Sequence, residues 1–141
     1  RCAEAETLYR EILANNGNIV SALNNLAALL ALQGIKIEEA LTLVNRAIDL
    51  QGPDPQLIDS RATIYLALRK LELAMQDINA ALEDEETAVR LFHKAQILTA
   101  ANRDEEAAST MLAALRKGLK PEMLHPLELP AYQKLLPASS R

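Results

Sequence analysis

Aromatic side chains are nearly missing from this chain, which has no tryptophan, one phenylalanine and three tyrosines in 141 residues. A core made from what remains has to be aliphatic and rich in alanine, and that brings helix backbones close together. Cysteine is as scarce. Cys2 stands alone, which excludes an internal disulfide, and its place on an apolar face suits a packed thiol better than a reactive one. Basic residues are outnumbered, 15 Lys and Arg against 19 Asp and Glu, so a net charge of -4 leaves no footprint for nucleic acid. No apolar run reaches the roughly 18 residues of a membrane span, and no segment has the make-up of a signal peptide. A soluble, cytoplasmic protein without membrane insertion is expected, with a periplasmic or tethered parent protein left open.

Chemical machinery is missing too. There is no glycine-rich phosphate loop, no His-Glu-x-x-His and no pair of cysteines at zinc spacing. His93 and His125 have no companions at ligand spacing, and the acidic run at 83–86 reads as a cap and solubility feature rather than an acid/base pair. The expectation is therefore no enzyme: no catalytic residue, no metal and no cofactor.

What is present is a rhythm. Alanine triplets recur about every 34 residues: Ala27, Ala40 and Ala47; Ala62, Ala74 and Ala81; Ala95, Ala107 and Ala114. Bulky residues surround them at gaps of three, four and seven, as on a helix that buries one stripe. The first unit offers Leu23, Leu26 and Leu30, then Leu41, Val44 and Ile48. Ile58, Tyr65 and Ile78 follow in the second, and Leu91, Leu98 and Met111 in the third. Each unit leaves an apolar face that only a neighbouring unit can cover, and half the residues are apolar, enough for one continuous core.

The run Leu23-Asn-Asn-Leu-Ala-Ala-Leu-Leu-Ala-Leu-Gln-Gly34, followed by Glu38-Glu39-Ala40, resembles a tetratricopeptide repeat. The alanine triplets match that family's small positions, and Leu30, Tyr65 and Leu98 stand at its helix-A aromatic position. Departures are Arg61 and Lys94 in place of leucine, Glu86 and Leu119 in place of the closing proline, and one extra residue in the turn Gly34-Ile-Lys-Ile37. The resemblance covers about residues 1–120. It implies an all-α fold, a right-handed α-solenoid of antiparallel helix pairs, and a role in protein–protein interaction.

One domain of five parts is expected. Residues 1–17 match the second helix of a truncated repeat, stopped by Asn16-Gly17 as a left-handed terminator. Repeats follow at 18–53, 54–87 and 88–120, and a proline-rich capping tail with a short helix over 130–136 occupies 121–141. Asn18, Asp54 and Asp84 are the expected helix caps, with Pro55 at a first helical position. The tail should lay Leu127, Leu129, Leu135 and Leu136 on the last repeat, with docking to another chain as the alternative. Arg1 is not a methionine and the first helix looks like half a unit, so a segment of a longer protein is expected.

Helix-A residues not used in packing should line the concave side. They are Ser21, Asn24, Asn25 and Ala28; then Gln56, Asp59, Ser60 and Thr63; then Val89, Phe92, His93, Gln96 and Thr99. This is a neutral hydrogen-bonding strip with one aromatic platform at Phe92. Asparagine amides donate and accept together, so they suit the backbone of an extended peptide. The resemblance singles out Asn25 for that task, with Ser60 and His93 at equivalent places. It also argues against the subtype that clamps a partner's terminal carboxylates, because the strip has no Lys or Arg and Asp59 would repel such a group. The expected function is a non-catalytic scaffold that holds a peptide or partner loop, with another protein as partner. The alternatives are a spacer with weak self-association through the exposed end helix, or a regulatory repeat domain attached to an upstream catalytic domain.

Overall fold

A computed structural model describes residues 1–140; Arg141, the last residue of the expected tail, lies outside the described residues. Seven helices run α1 Cys2–Asn15, α2 Val20–Gln33, α3 Ile37–Gln51, α4 Pro55–Ala67, α5 Leu71–Asp84, α6 Ala88–Ala100 and α7 Asp104–Arg116. Two single 3-10 turns, Pro121–Met123 and Pro126–Glu128, lead into the short α8, Leu129–Leu135. No strand occurs among the described residues. Neighbours in sequence pack as hairpins, α2 with α3, α4 with α5 and α6 with α7, and each hairpin leans on the next. The result is an α-solenoid.

The alanines explain the close stacking. All nine are at most 2% exposed, so no larger side chain fits at those crossings. Apart from the last, which joins α6 and α7 to the tail, each apolar cluster spans two hairpins rather than one. Ile64 of α4 closes the cluster of Leu26, Leu30, Ala40 and Val44. Ile97 of α6 closes that of Ala62, Ala74 and Ile78. This is the reason an isolated hairpin would be left with an uncovered face. The A-to-B turns close on left-handed residues, Gly34 and Lys36 in the first hairpin, Arg69 in the second and Asn102 in the third.

Arg61, which displaces the leucine of the resemblance, is accounted for by its partners. Its Nε and Nη2 donate to the two Asp77 carboxylate oxygens at 2.8 and 3.0 Å, and Nη1 donates to Asn45 Oδ1 at 3.2 Å. Its guanidinium carbon also lies 5.7 Å from the centre of the Tyr65 ring. One side chain thus ties α3, α4 and α5 together.

Several local expectations change. Asp54 caps α4 through a 2.9 Å bond from the Gln56 N–H, as the sequence implies. Asn18 does not cap α2: its side-chain oxygen accepts from Arg46 at 2.7 Å, and Ile19 holds the cap position. Asp84 ends α5, and the cap of α6 is Thr87, whose hydroxyl accepts from the Arg90 N–H at 3.1 Å. Asn16 is extended (φ -149) rather than left-handed. Gly17 serves space instead, since a Cβ there would sit 3.3 Å from Arg46 Nη2.

The helix α1 is the least embedded. None of its residues is buried, Leu8 is 54% exposed and Cys2 is half-buried. It holds to the stack through Tyr9 and Leu13 and through Arg10, whose Nη1 and Nη2 donate to the Glu39 carboxylate at 2.8 and 3.0 Å.

Beyond α7 the chain turns at Gly118 (φ 96) and folds back. Leu119, Leu124, Tyr132 and Leu136 enter the cluster of Leu91, Phe92, Ala95, Met111 and Ala114 and cover the last hairpin. Leu129 and Leu135 pack at its margin, whereas Leu127 points away and is 42% exposed. Tyr132, which the sequence reading did not include in the cover, is buried there instead.

Candidate functional site

The tail does more than cover an end. Its Pro126–Glu128 turn packs against α2, while α8 rests on α6 and α7. A segment of the chain therefore runs across α2 and α6, the helices that carry much of the predicted strip, and this decides the strip's state. Ser21, Asn25, Gln56 and Thr99 are exposed, and Asp59, Ser60, Thr63 and Gln96 are half-buried. Asn24, Phe92 and His93 are buried.

Phe92 is not an open aromatic platform. It is 0% exposed, and its ring meets Tyr132 edge-on with centroids 6.3 Å apart. Two of the strip's hydroxyls are also taken. Thr63 donates to the Ser60 carbonyl at 2.7 Å and Thr99 to the Ala95 carbonyl at 3.0 Å, each on its own helix. Asn24, only 8% exposed, keeps a buried Oδ1 that accepts no hydrogen bond from a described residue.

At the centre lies His93, held between two carboxylates. Its Nδ1 is 2.7 Å from Asp59 Oδ1 on α4, and its Nε2 is 3.0 Å from Glu128 Oε2 on the tail. Ionised carboxylates only accept, so both ring nitrogens carry hydrogen and the ring is an imidazolium. Burial opposes that charge. The Asp59 charge and hydrogen bond, together with the Glu128 bond, outweigh it and push the His93 pKa up to about 10. Burial likewise works against the Glu128 carboxylate, but the His93 bond and the His125 N–H hold its pKa below the ordinary value. Glu128 is further positioned by its Oε1, which accepts from that N–H at 3.0 Å, while His125 Nδ1 accepts from the Leu127 N–H at 3.1 Å. With both nitrogens donating, His93 has no lone pair left for a metal.

This corrects one step of the sequence reading. Asp59 does not make the strip hostile to carboxylates. It charges His93, and the charged ring draws a carboxylate in. Glu128 and Tyr132 were absent from the sequence-based site, although they stand four residues apart, the spacing of side chains that share a helical face.

Beside the tail a cleft of about 340 Å³ stays open, between Leu66 of α4 and Arg69 in the turn after it, Gln96 and Thr99 of α6, and Ala131 and Leu135 of α8. Among the described residues no helix is long and apolar enough to cross a membrane.

No protein-family profile matches the chain. A curated protein of Homo sapiens, Tetratricopeptide repeat protein 16, is 36% identical over 77 residues. That match takes in 52% of this chain but only 9% of the human protein, so the chain corresponds to a small part of its relative's length. The similarity agrees with a tetratricopeptide-like helical array.

Proposed function

We propose that this stack is a non-catalytic protein-interaction scaffold that holds an extended peptide or partner loop on its concave side. The observation that carries the reading is that a peptide segment already lies there: residues 126–135 of the chain's own tail, seated on α2, α6 and α7. On α2 and α4, Ser21, Asn25 and Gln56 offer exposed polar groups that the packing does not use. Amides of this kind can pair with both the N–H and C=O of a bound backbone. The relative named for tetratricopeptide repeats supports the same class of role.

The test is a pull-down with wild type and an Asn25→Ala, Gln56→Ala variant, followed by mass spectrometry. Both positions are exposed, so the variant should keep its stability within about 0.5 kcal/mol. Loss of a specific partner in the variant is the expected result; equal capture by both proteins refutes the concave site.

A second reading has its own support. The exposed Leu8 on a helix with no buried residue suits self-association through α1. Sedimentation equilibrium would then show a dimer that Leu8→Glu abolishes, and a wild-type monomer at all concentrations would dismiss it.

A further inference from the structure

We propose that residues 126–135 are an internal ligand of the concave groove, and that the partner taken in their place is a peptide with a carboxylate four residues ahead of an aromatic ring. This deepens the groove reading above and rests on it.

The argument starts from the charges. Asp59 belongs to the helical framework and neutralises the His93 ring, but it occupies only Nδ1. The Nε2–H is left directed at whatever fills the groove, and its acceptor, Glu128, comes from the tail alone. A purely apolar segment in that place would leave this buried N–H without an acceptor, and a carboxylate accepts from a charged ring about twice as strongly as a neutral oxygen. The site therefore favours a carboxylate. One turn further on, Phe92 presents its ring to Tyr132, which fixes the second requirement and its spacing.

The tail is also built to leave. The helix α8 has seven residues with a proline in its first turn and follows a single 3-10 turn, too little structure to persist alone. It keeps its shape because the groove holds it. Leu119 and Leu124 lie ahead of this segment and stay in the last hairpin's cluster, so the end of the stack keeps part of its cover when residues 126–135 swing out. The short tether keeps the segment at a local concentration of about millimolar, so an outside peptide has to surpass that advantage.

The experiment uses the full chain. A fluorescein-labelled peptide of residues 124–137 is titrated by anisotropy into wild type and into a Glu128→Gln, Tyr132→Ala variant, whose fold is checked by circular dichroism. The variant, with its own tail weakened, should bind the probe at least about tenfold more tightly than wild type. A probe carrying the Glu128→Gln change should bind the variant about tenfold more weakly than the unaltered probe. Equal affinities in either comparison overturn the proposal.

Should the variant fail to fold, native-state hydrogen exchange of wild type decides. Amides of 129–136 should exchange through an opening that leaves α6 and α7 protected, and exchange in common with those helices refutes a detachable ligand. A groove-dependent partner that added tail peptide does not displace would sink this inference and leave the scaffold reading intact. Tail docking without any groove-dependent partner would remove the scaffold reading, and the external ligand with it.

Discussion

Replacing Phe92 with alanine separates the two accounts of that residue most sharply. On an open platform the ring contributes little to folding, whereas in the structure it is enclosed by Leu91, Ala95, Met111, Leu124 and Tyr132. Removing a buried phenylalanine typically costs about 3–5 kcal/mol from lost transfer energy and the cavity left behind. The tail is the softest wall of this site and can partly collapse, so the lower end, about 3 kcal/mol, is expected. A chain of this size loses about 2–4 °C of melting temperature per kcal/mol, which places the shift near 6–12 °C. Urea titration and thermal melts followed at 222 nm would measure it, with Thr99→Ala as the exposed comparison. A Phe92→Ala cost below about 1 kcal/mol, or no larger than that of Thr99→Ala, would refute the enclosed position and restore the platform.

Three further outcomes are expected. Ala62→Leu should overpack the α4 crossing and cost about 1–3 kcal/mol in the same assay; an unchanged melt would mean the alanine frame is misassigned. Arg61→Leu should destabilise clearly by leaving the buried Asp77 carboxylate without its partner, while adding Asp77→Leu should recover most of the loss. A double variant no more stable than the single one contradicts that account. The stability difference between wild type and Glu128→Gln should depend on pH. The His93 contribution is complete below its ordinary pKa of 6.5 and fades as pH rises through about 10, and that of Glu128 is complete above 4.5 and fades in acid. The difference should therefore be greatest between about 4.5 and 6.5 and shrink by pH 10. An equal difference at pH 6 and pH 10 speaks against the charged His93 bridge.

The helices and their alanine crossings were legible because neighbour packing leaves a periodic trace, and each of the nine residues is where that period puts it. Arg61 looked like a defect because the pattern records one position at a time, while its meaning depends on Asn45 and Asp77, one on each neighbouring helix. The tail escaped for a similar reason. Four prolines interrupt any period, so the sequence marks a cap without saying where the chain returns. Phe92 and His93 were read as open because the helical frame puts them on the concave side, and nothing in that frame shows a second segment lying over them. The available signal was the pairing of Glu128 with Tyr132 four residues later, facing a strip that held a histidine beside an aspartate.

Solenoids are springs: their units touch only in sequence, thin interfaces flex in series, and the curvature of the stack is soft. Here the tail makes contact with α2 at one point and with α6 and α7 at others, so it links the first hairpin directly to the last, as a tie rod links the two ends of an arch. Its removal should lower bending stiffness without unfolding any hairpin. Under tension applied at the two ends, the Glu128 bond to His93 and the Tyr132 contact with Phe92 should yield first, as a small early rupture before the hairpins unravel.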